Sequence, residues 1–223
     1  MTLYGRIIYK GYSSRLKQAD DLDISCIILA GGKSIRFGHD KVLEKIGSAS
    51  LIEQVISRTD PLSKEIIIVT AKERNFAQLA NHPKVKIVTD IFPGQGSLGG
   101  IYTGLVKSKS FYNLVVAADM PFLNESLLRY MIKVADGYDY ILPKINKWYE
   151  PLHAIYSKNC IDPINSILEQ GKKVIVELFG YVKVRYIEAE EVDKFDPQHL
   201  SFFNINTTED MEKARKIMGG AEA

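Results

Sequence analysis

Short apolar runs alternate with amphipathic stretches from Ser25 onward, and this alternation constrains the fold more than any other feature. The apolar runs are SCIILA, EIIIVT, VKIVT, NLVVAA and YDYILP, and the helical patterns between them centre on Leu51, Phe76, Leu105 and Leu127. Such a succession predicts βαβ units around a mostly parallel sheet. Because the run from Ile66 to Val69 is apolar throughout, helices are expected on both faces of the sheet. The sequence therefore predicts a Rossmann-like, three-layer α/β/α fold.

The pattern changes after Pro143. The segment KINKWYEPLHAIY predicts a turn and then a strand at an inserted or antiparallel edge. A helix near Asn159 to Glu169 and a strand at VKVRYI follow, and FFNIN is interpreted as a strand end before a helix capped by Thr207 with Asp210. The polar, tyrosine-rich residues 1–24 are predicted to be an N-terminal extension of unassigned role. Residues 25–223 are predicted to form a single domain, a common size for α/β folds.

Composition excludes several classes of protein. A net charge of +2 and a pI near 8.3 are too mild to indicate nucleic-acid binding, which needs a clustered basic face. The two cysteines, Cys26 and Cys160, can build neither a disulfide framework nor a four-ligand zinc site within one chain, and both are predicted to be reduced thiols. No apolar run approaches the roughly 20 residues that span a bilayer, and the N-terminus lacks a signal-peptide pattern. We therefore expect a cytoplasmic protein without a membrane or nucleic-acid partner.

The first candidate loop is LAGGKSIRFGHDK, directly after the first apolar strand. In doubly wound sheets ligands bind beyond the carboxyl ends of the strands, so this position favours a binding role. Gly31 and Gly32 let backbone N–H groups face an anion, and Arg36 and Lys41 add positive charge, a combination that suits a triphosphate. A P-loop is excluded, because Ile27 stands where that motif requires its first glycine.

The second candidate loop, DIFPGQGSLGGI, contains a G-x-G-x-x-G motif, and Asp119 lies 20 positions beyond its last glycine. This spacing is typical of a dinucleotide fingerprint, so a nicotinamide or flavin site is an alternative. However, Asp90 to Pro93 separate the predicted strand from the glycines, whereas the dinucleotide turn is tight. The favoured interpretation is that the backbone approaches a nucleobase or ribose, with Asp90 accepting hydrogen bonds. A simple helix-opening turn is the remaining alternative.

The third candidate loop, AADMPF, places Asp119 just past the end of an apolar strand. Beside a triphosphate this carboxylate would hold Mg²⁺, which prefers one or two carboxylates, phosphate oxygens and waters. The alternative role of helix N-cap is weaker, because Asn124 already fills it.

Taken in order, LAGGKSIRFGHDK, Asp90 with PGQGSLGGI, AADMPF, EPLHAIY and FFNINTTEDM resemble the molybdenum cofactor guanylyltransferase family. The resemblance covers roughly Ser25 to the C-terminus. That family has an α/β nucleotidyltransferase fold and transfers GMP from GTP to molybdopterin, with release of pyrophosphate and a requirement for magnesium. The resemblance implies GTP and molybdopterin as substrates and Mg²⁺ as cofactor. Such a role would also bring transient contacts with other proteins of molybdenum cofactor biosynthesis or with apoenzymes.

The resemblance also assigns roles to individual residues. It implies that Arg36, Lys41 and Asp119 are catalytic, that Asp119 binds the metal, and that Asn204 and Asn206 lie on the pterin or metal side. The implied nucleotide-binding residues are Leu29, Ala30, Gly31, Gly32, Lys41 and Asp90, with Asp90 facing the guanosine.

Two alternatives to guanylyl transfer stay open at the level of sequence. The first is transfer of another nucleotide, such as CMP to molybdopterin or a nucleotide to a sugar or alditol phosphate. The second is a nucleotide-binding protein without catalytic activity on the same fold. The identity of the nucleotide base distinguishes the first alternative from guanylyl transfer. Release of pyrophosphate distinguishes an enzyme from the second alternative.

Overall fold

The computed structural model describes residues 22–31, 41–71, 76, 79 and 81–220. The strands of these residues are β1 (Ile24–Leu29), β2 (Lys45–Ile46), β3 (Ala49–Ser50), β4 (Glu65–Thr70), β5 (Val85–Thr89), β6 (Tyr112–Ala117), β7 (Tyr140–Ile145), β8 (Trp148–Tyr149), β9 (His153–Ser157) and β10 (Val184–Glu188). The helices are α1 (Leu51–Thr59), α2 (Gly96–Lys107), α3 (Glu125–Lys133), α4 (Ile161–Glu169), α5 (Ala189–Val192) and α6 (Thr208–Gly220). Among the described residues no helix is long and apolar enough to cross a membrane.

One sheet organises the molecule, with the strand order β10-β7-β9-β6-β1-β4-β5 and β8 paired with β7. Strands β6, β1, β4 and β5 are parallel neighbours, and β10 is parallel to β7. Strand β9 is antiparallel to both β6 and β7, and β8 is antiparallel to β7. The prediction of a mostly parallel sheet is confirmed. The strand after Pro143 is antiparallel as predicted, but β9 lies inside the sheet, between β6 and β7, and not at an edge.

Apolar side chains on the two faces of the sheet build two cores. On one face Ile28, Ile68 and Val116 pack with residues of α1 and α3, and on the other Ile27 and Val115 pack with residues of α2 and α4. Because successive residues of a strand point to opposite faces, strands covered on both sides must be apolar throughout. The predicted three-layer α/β/α architecture is confirmed.

A close approach of α2 to β1 fixes the position of this helix. Gly104 lies over Ile27, and a Cβ atom at position 104 would stand only 2.4 Å from the Ile27 Cγ2 atom. Only a residue without a side chain lets the helix lie this close to the strand. The start of α2 is thereby held beside the carboxyl end of β1.

Two details differ from the sequence-based expectations. The FFNIN segment was predicted to be a strand end, and this is wrong: a 3₁₀ turn at Leu200–Phe202 leads into an extended segment that pairs with no strand of the described residues. It lies beyond the end of β6 and makes one backbone bond there, from the Ile205 N–H to the Asp119 carbonyl at 3.0 Å, which is too little for a ladder. The helix predicted around Phe76 falls largely outside the described residues, as does most of the predicted extension 1–24.

The predicted helix caps and thiols are confirmed. The Asn124 side chain accepts the Leu127 N–H at 3.0 Å, and Thr207 and Asp210 exchange hydrogen bonds at the start of α6. Both cysteines are free and buried, and burial raises the pKa of each thiol to about 12. Neither thiol is therefore available as a thiolate near neutral pH.

Candidate active site

The three candidate loops follow β1, β5 and β6, and backbone hydrogen bonds just beyond the strand ends connect these strands to one another or to β4. The Ala30 N–H donates to the Val69 carbonyl at 2.9 Å, the Ala118 N–H to the Leu29 carbonyl at 3.1 Å, and the Asp90 N–H to the Thr70 carbonyl at 2.9 Å. These bonds extend the parallel ladders by one residue on each strand. The carboxyl edge of the sheet, where ligands of such folds bind, is therefore a continuous backbone surface.

A cavity of about 300 Å³ lies at this edge, at the lower end of the roughly 300–1,000 Å³ common for small-molecule sites. The residues lining it include six from the sequence-based site, namely Leu29, Ala30, Gly31, Lys41, Asp90 and Asp119. The structure thus brings together all three candidate loops. The predictions for Gly32 and Arg36 fall on residues outside those described.

Lys41 joins segments that are distant in sequence. Its Nζ atom donates to the Asp119 Oδ2 atom at 2.9 Å and also to the Ile205 carbonyl oxygen. The side chains of Lys41 and Asp119 are only 11% and 21% exposed. Desolvation strengthens such a charge-assisted bond, and it leaves a costly unpaired charge if one partner is lost. The pair therefore holds together two of the segments that line the cavity.

Asn204 and Asn206 flank Ile205 and so lie beside the Lys41–Asp119 pair. They do not line the cavity itself. The Asn204 side chain donates to the Phe202 carbonyl at 3.1 Å, and the Asn206 N–H donates to the Asp210 carboxylate at 3.0 Å. Their placement next to the metal and catalytic candidates, outside the nucleotide cavity, agrees with the acceptor-side role that the sequence predicts, and that role stays a prediction.

Asp90 is held in place by a residue that the sequence analysis missed. Its Oδ1 atom accepts the Phe92 N–H at 3.0 Å and the Thr103 hydroxyl at 2.8 Å. Thr103 is fully buried in α2, and its hydroxyl also accepts the Ile91 N–H at 2.9 Å. Within the described part of the chain, the Asp90 Oδ2 atom has no protein partner and is free to accept from a ligand. A threonine inside a helical pattern carries no sequence signal for this role.

The glycines after β5 are required by the backbone. Gly94 and Gly96 have φ angles of 82° and 67°, a left-handed region that disfavours other residues. A Cβ atom on Gly99 would stand 2.8 Å from the Phe92 carbonyl oxygen. The loop therefore turns sharply into α2, whose first residues line the cavity.

The dinucleotide alternative does not fit this topology. Its fingerprint belongs to a βαβ unit of neighbouring strands, whereas α2 links β5 to β6, which β4 and β1 separate. The acidic residue of that alternative, Asp119, is bound to Lys41 rather than placed for a ribose hydroxyl. A phosphate group beside α2 is still favoured by the N-terminal N–H groups, because no side chain of the described residues caps this helix.

The donor set at Asp119 fits Mg²⁺. Its Oδ1 atom has no partner among the described residues, and the carboxylate opens on the cavity. No group of three or more His, Cys, Asp or Glu side chains in the described ranges could hold a metal ion by itself. One carboxylate completed by phosphate oxygens and waters is the arrangement that Mg²⁺ prefers with nucleotides. Asp119 as the metal ligand remains a prediction.

Comparison with known families decides the class of protein. The model of the MobA-like NTP transferase domain matches residues 26–184, most of the described fold and all three candidate loops. The chain belongs to this family.

Individual MobA-like relatives cover nearly the whole chain. A probable molybdenum cofactor guanylyltransferase from Natranaerobius thermophilus is 37% identical over 204 residues, which are 90% of this chain and 98% of that protein. The molybdenum cofactor guanylyltransferase from Desulfosudis oleivorans is 33% identical over 193 residues, covering 86% and 94%. The solved structure of molybdopterin-guanine dinucleotide biosynthesis protein A from Archaeoglobus fulgidus matches with a TM-score of 0.76 and 29% identity, covering 88% of this chain and 99% of that one. The predicted family and nucleotidyltransferase fold are confirmed.

A larger cavity of this MobA-like transferase, about 1,540 Å³, lies at the opposite edge of the sheet. Four of its lysines are already bound to carboxylate or carbonyl oxygens, namely Lys64, Lys84, Lys86 and Lys158. Among the described residues that the sequence assigns to the site, none lines this cavity, so size alone does not mark the active site.

His153, from the EPLHAIY segment, is a core residue of this MobA-like transferase. It is fully buried on β9, its ring packs edge-on against Phe202 with centroids 5.0 Å apart, and within the described part of the chain neither ring nitrogen has a hydrogen-bond partner. Burial lowers the pKa of the imidazole to about 4, partly offset by Asp196. The side chain is neutral at pH 7 and does not serve as a cation for phosphate.

This pKa predicts a pH dependence of stability. Below pH 6.5, the ordinary pKa of histidine, residue 153 of the unfolded chain binds a proton, whereas His153 in the folded protein stays neutral down to about pH 4. The free energy of unfolding therefore falls as the pH decreases from 6.5 toward 4. Between pH 7.5 and pH 5 the free energy of unfolding should fall about 2 kcal/mol more in the wild type than in His153→Leu, since one pKa unit is about 1.4 kcal/mol. Urea unfolding at both pH values measures the difference, with His153→Gln as a second variant. Equal losses in all three proteins would show that His153 is already protonated or hydrated in the fold.

Proposed function

We propose that this chain transfers GMP from GTP to molybdopterin and releases pyrophosphate. The observation that carries the proposal is the desolvated Lys41–Asp119 pair in a cavity at the carboxyl edge of the sheet, bound to the segment that bears Asn204 and Asn206. In this proposal the cavity binds the nucleotide, the segment with Asn204 and Asn206 binds the acceptor, and the Lys41–Asp119 pair lies between them. The names of the guanylyltransferase relatives, which cover most of this chain, support GTP and molybdopterin as the substrates.

The reaction needs positioning and charge neutralisation more than a protein nucleophile. An oxygen of the acceptor's terminal phosphate attacks the α-phosphorus of GTP in line, the bond from that phosphorus to the oxygen of the β-phosphate breaks, and pyrophosphate leaves. In this proposal the Lys41 ammonium neutralises the charge that builds up on the phosphates in the transition state. Arg36 is proposed to assist it. The acceptor phosphate is already ionised near neutral pH, so no general base is required.

Asp90 and Asp119 have different roles in this proposal. Asp90, oriented by Thr103, accepts hydrogen bonds from the guanosine through its free Oδ2 atom. Asp119 would hold Mg²⁺, and its Oδ2 atom accepts the hydrogen bond from Lys41. When bound, the metal supplies neutralisation and alignment of the phosphate oxygens.

The setting of the reaction follows from its chemistry. We propose that the protein works in the cytoplasm, without nucleic acid or a membrane, and that it passes its product on through transient contacts with other proteins of molybdenum cofactor biosynthesis or with apoenzymes. The mild net charge of +2 is consistent with small-molecule substrates.

Pyrophosphate release tests the proposal directly. The purified protein with Mg²⁺ is given GTP, CTP or ATP, each with and without molybdopterin. We expect release only with GTP and molybdopterin together, because the cavity must orient both phosphates before reaction. Release with CTP in place of GTP would change the nucleotide and keep the reaction class, while tight GTP binding without release in any mixture would contradict an enzymatic role.

Removing the ammonium of Lys41 tests its catalytic role. Lys41→Met keeps an apolar stem of similar length, and it should lower kcat about ten- to a hundredfold, since a charge-assisted hydrogen bond contributes about 1.5–3 kcal/mol. Lys107→Met, an exposed lysine at the far end of α2, is the matched control and should keep normal turnover. Steady-state pyrophosphate release measures both. Near-normal kcat in folded Lys41→Met protein, with folding checked by urea unfolding, would remove Lys41 from the mechanism.

A further inference from the structure

The β7–β8 hairpin carries an exposed tryptophan at the active-site edge of the sheet. Trp148 is 75% exposed, more than any other large hydrophobic side chain in the described residues, the next being Tyr181 at 57%. Strand β7 runs parallel to β6 and β1, because both β6 and β7 are antiparallel to β9. The turn after β7 therefore rises from the same edge as the loops that contain Lys41 and Asp119.

Glu150 follows β8 and lies on the same side of the hairpin as Trp148. The Glu150 N–H donates to the Pro143 carbonyl at 3.0 Å, which continues the antiparallel pairing of β7 with β8. Because side chains alternate along an extended chain, Trp148 and Glu150 face one side and Tyr149 faces the other. Tyr149 packs there against Phe179, with ring centroids 4.9 Å apart.

Trp148 and Glu150 face the side of the sheet that carries the core around Val42 and Met120. Trp148 lies opposite Ile145, which packs against the core containing Val42 and Met120. Val42 and Met120 follow Lys41 and Asp119 directly in the chain. The hairpin side chains therefore lie on the side of the sheet where the residues next to Lys41 and Asp119 pack.

The carboxylate of Glu150 has no partner in the part of the chain that the structure describes. Among the described residues it makes no hydrogen bond and no ion pair, although it is half-buried. Burial alone raises the pKa of this carboxyl group above its ordinary value. A desolvated carboxylate without donors is unfavourable in the free protein, and N–H donors from a ligand would relieve that cost.

We propose that Trp148 and Glu150 form the subsite for the pterin ring of the acceptor, a proposal that rests on the proposed guanylyl transfer to molybdopterin. The indole stacks on the planar ring, and the Glu150 carboxylate accepts hydrogen bonds from the 2-amino group and the adjacent ring N–H. Two parallel N–H donors match the two oxygens of a carboxylate.

The length of the acceptor explains why this subsite lies outside the cavity. The phosphate of molybdopterin is at the opposite end of the molecule from its aminopyrimidinone ring. When the phosphate reaches the Lys41–Asp119 pair, the ring must lie elsewhere on the same edge and side. The β7–β8 hairpin, at this edge, presents the indole of Trp148 and the two carboxylate oxygens of Glu150 to such a ring.

The test uses the full-length enzyme with GTP and molybdopterin as varied substrates. Trp148→Ala and Glu150→Gln should each raise the KM for molybdopterin at least about fivefold, since stacking on an aromatic side chain contributes about 1–3 kcal/mol. Both should leave the KM for GTP within about twofold, because neither contacts the nucleotide cavity. Trp148→Phe should restore most of the loss. Phe111→Ala and Asp162→Asn, exposed residues at the opposite edge, are the matched controls.

Fluorescence gives an independent readout, because Trp148 is the only tryptophan in the chain. Molybdopterin should quench the tryptophan emission of the wild type saturably, and Glu150→Gln should shift the half-saturation to higher concentration. If wild-type enzyme is active but Trp148→Ala and Glu150→Gln keep the wild-type KM for molybdopterin, the subsite is wrong and the proposed function stands. An exposed tryptophan that binds another protein would give that same result. If the wild type releases no pyrophosphate, the proposed function itself fails.

Discussion

The contact on which the site depends is the ammonium of Lys41, which binds the Asp119 carboxylate and the Ile205 carbonyl together. The partners are 78 and 164 residues away in the chain, so this one group connects the glycine-rich loop, the end of β6 and the segment before α6. Its side chain is largely desolvated, and a charge in such a position is stable only with its partners in place. The nucleotide side and the acceptor side are therefore built around one cation.

The sheet makes this contact geometrically simple. The carboxyl ends of β6, β1, β4 and β5 lie in this order along one edge, and Asp90, just past β5, and Asp119, just past β6, reach the same cavity. Two apolar cores hold the strands rigidly from both faces, and the missing side chain at Gly104 lets α2 lie directly on Ile27. Asp90 and Asp119 lie on loops, but they come just after strands of this sheet. The strands therefore give both carboxylates a defined position.

Sequence alone was sufficient where local pattern determines structure. Apolar runs identified β1, β4 and β6, and the rule that ligands bind at strand ends placed Asp90 and Asp119 in one cavity. Sequence alone did not predict the structure of segments whose conformation depends on contacts with residues far away in the chain. The FFNIN segment has the composition of a strand, yet Ile205 binds the Asp119 carbonyl through its N–H and the Lys41 ammonium through its carbonyl oxygen, and neither partner belongs to a strand. Thr103 likewise acts through a buried hydroxyl, which helical periodicity cannot distinguish from ordinary packing.

The most direct test of this account is a double-mutant cycle on kcat with Lys41→Met, Asp119→Asn and the combined variant. Residues that act as one unit lose their function together, so the double variant should be about as slow as the slower single variant. That result would show that Lys41 and Asp119 form one catalytic element. Losses that multiply, so that the two free-energy changes simply add, would contradict it and would mean that the contact between them does not organise the site.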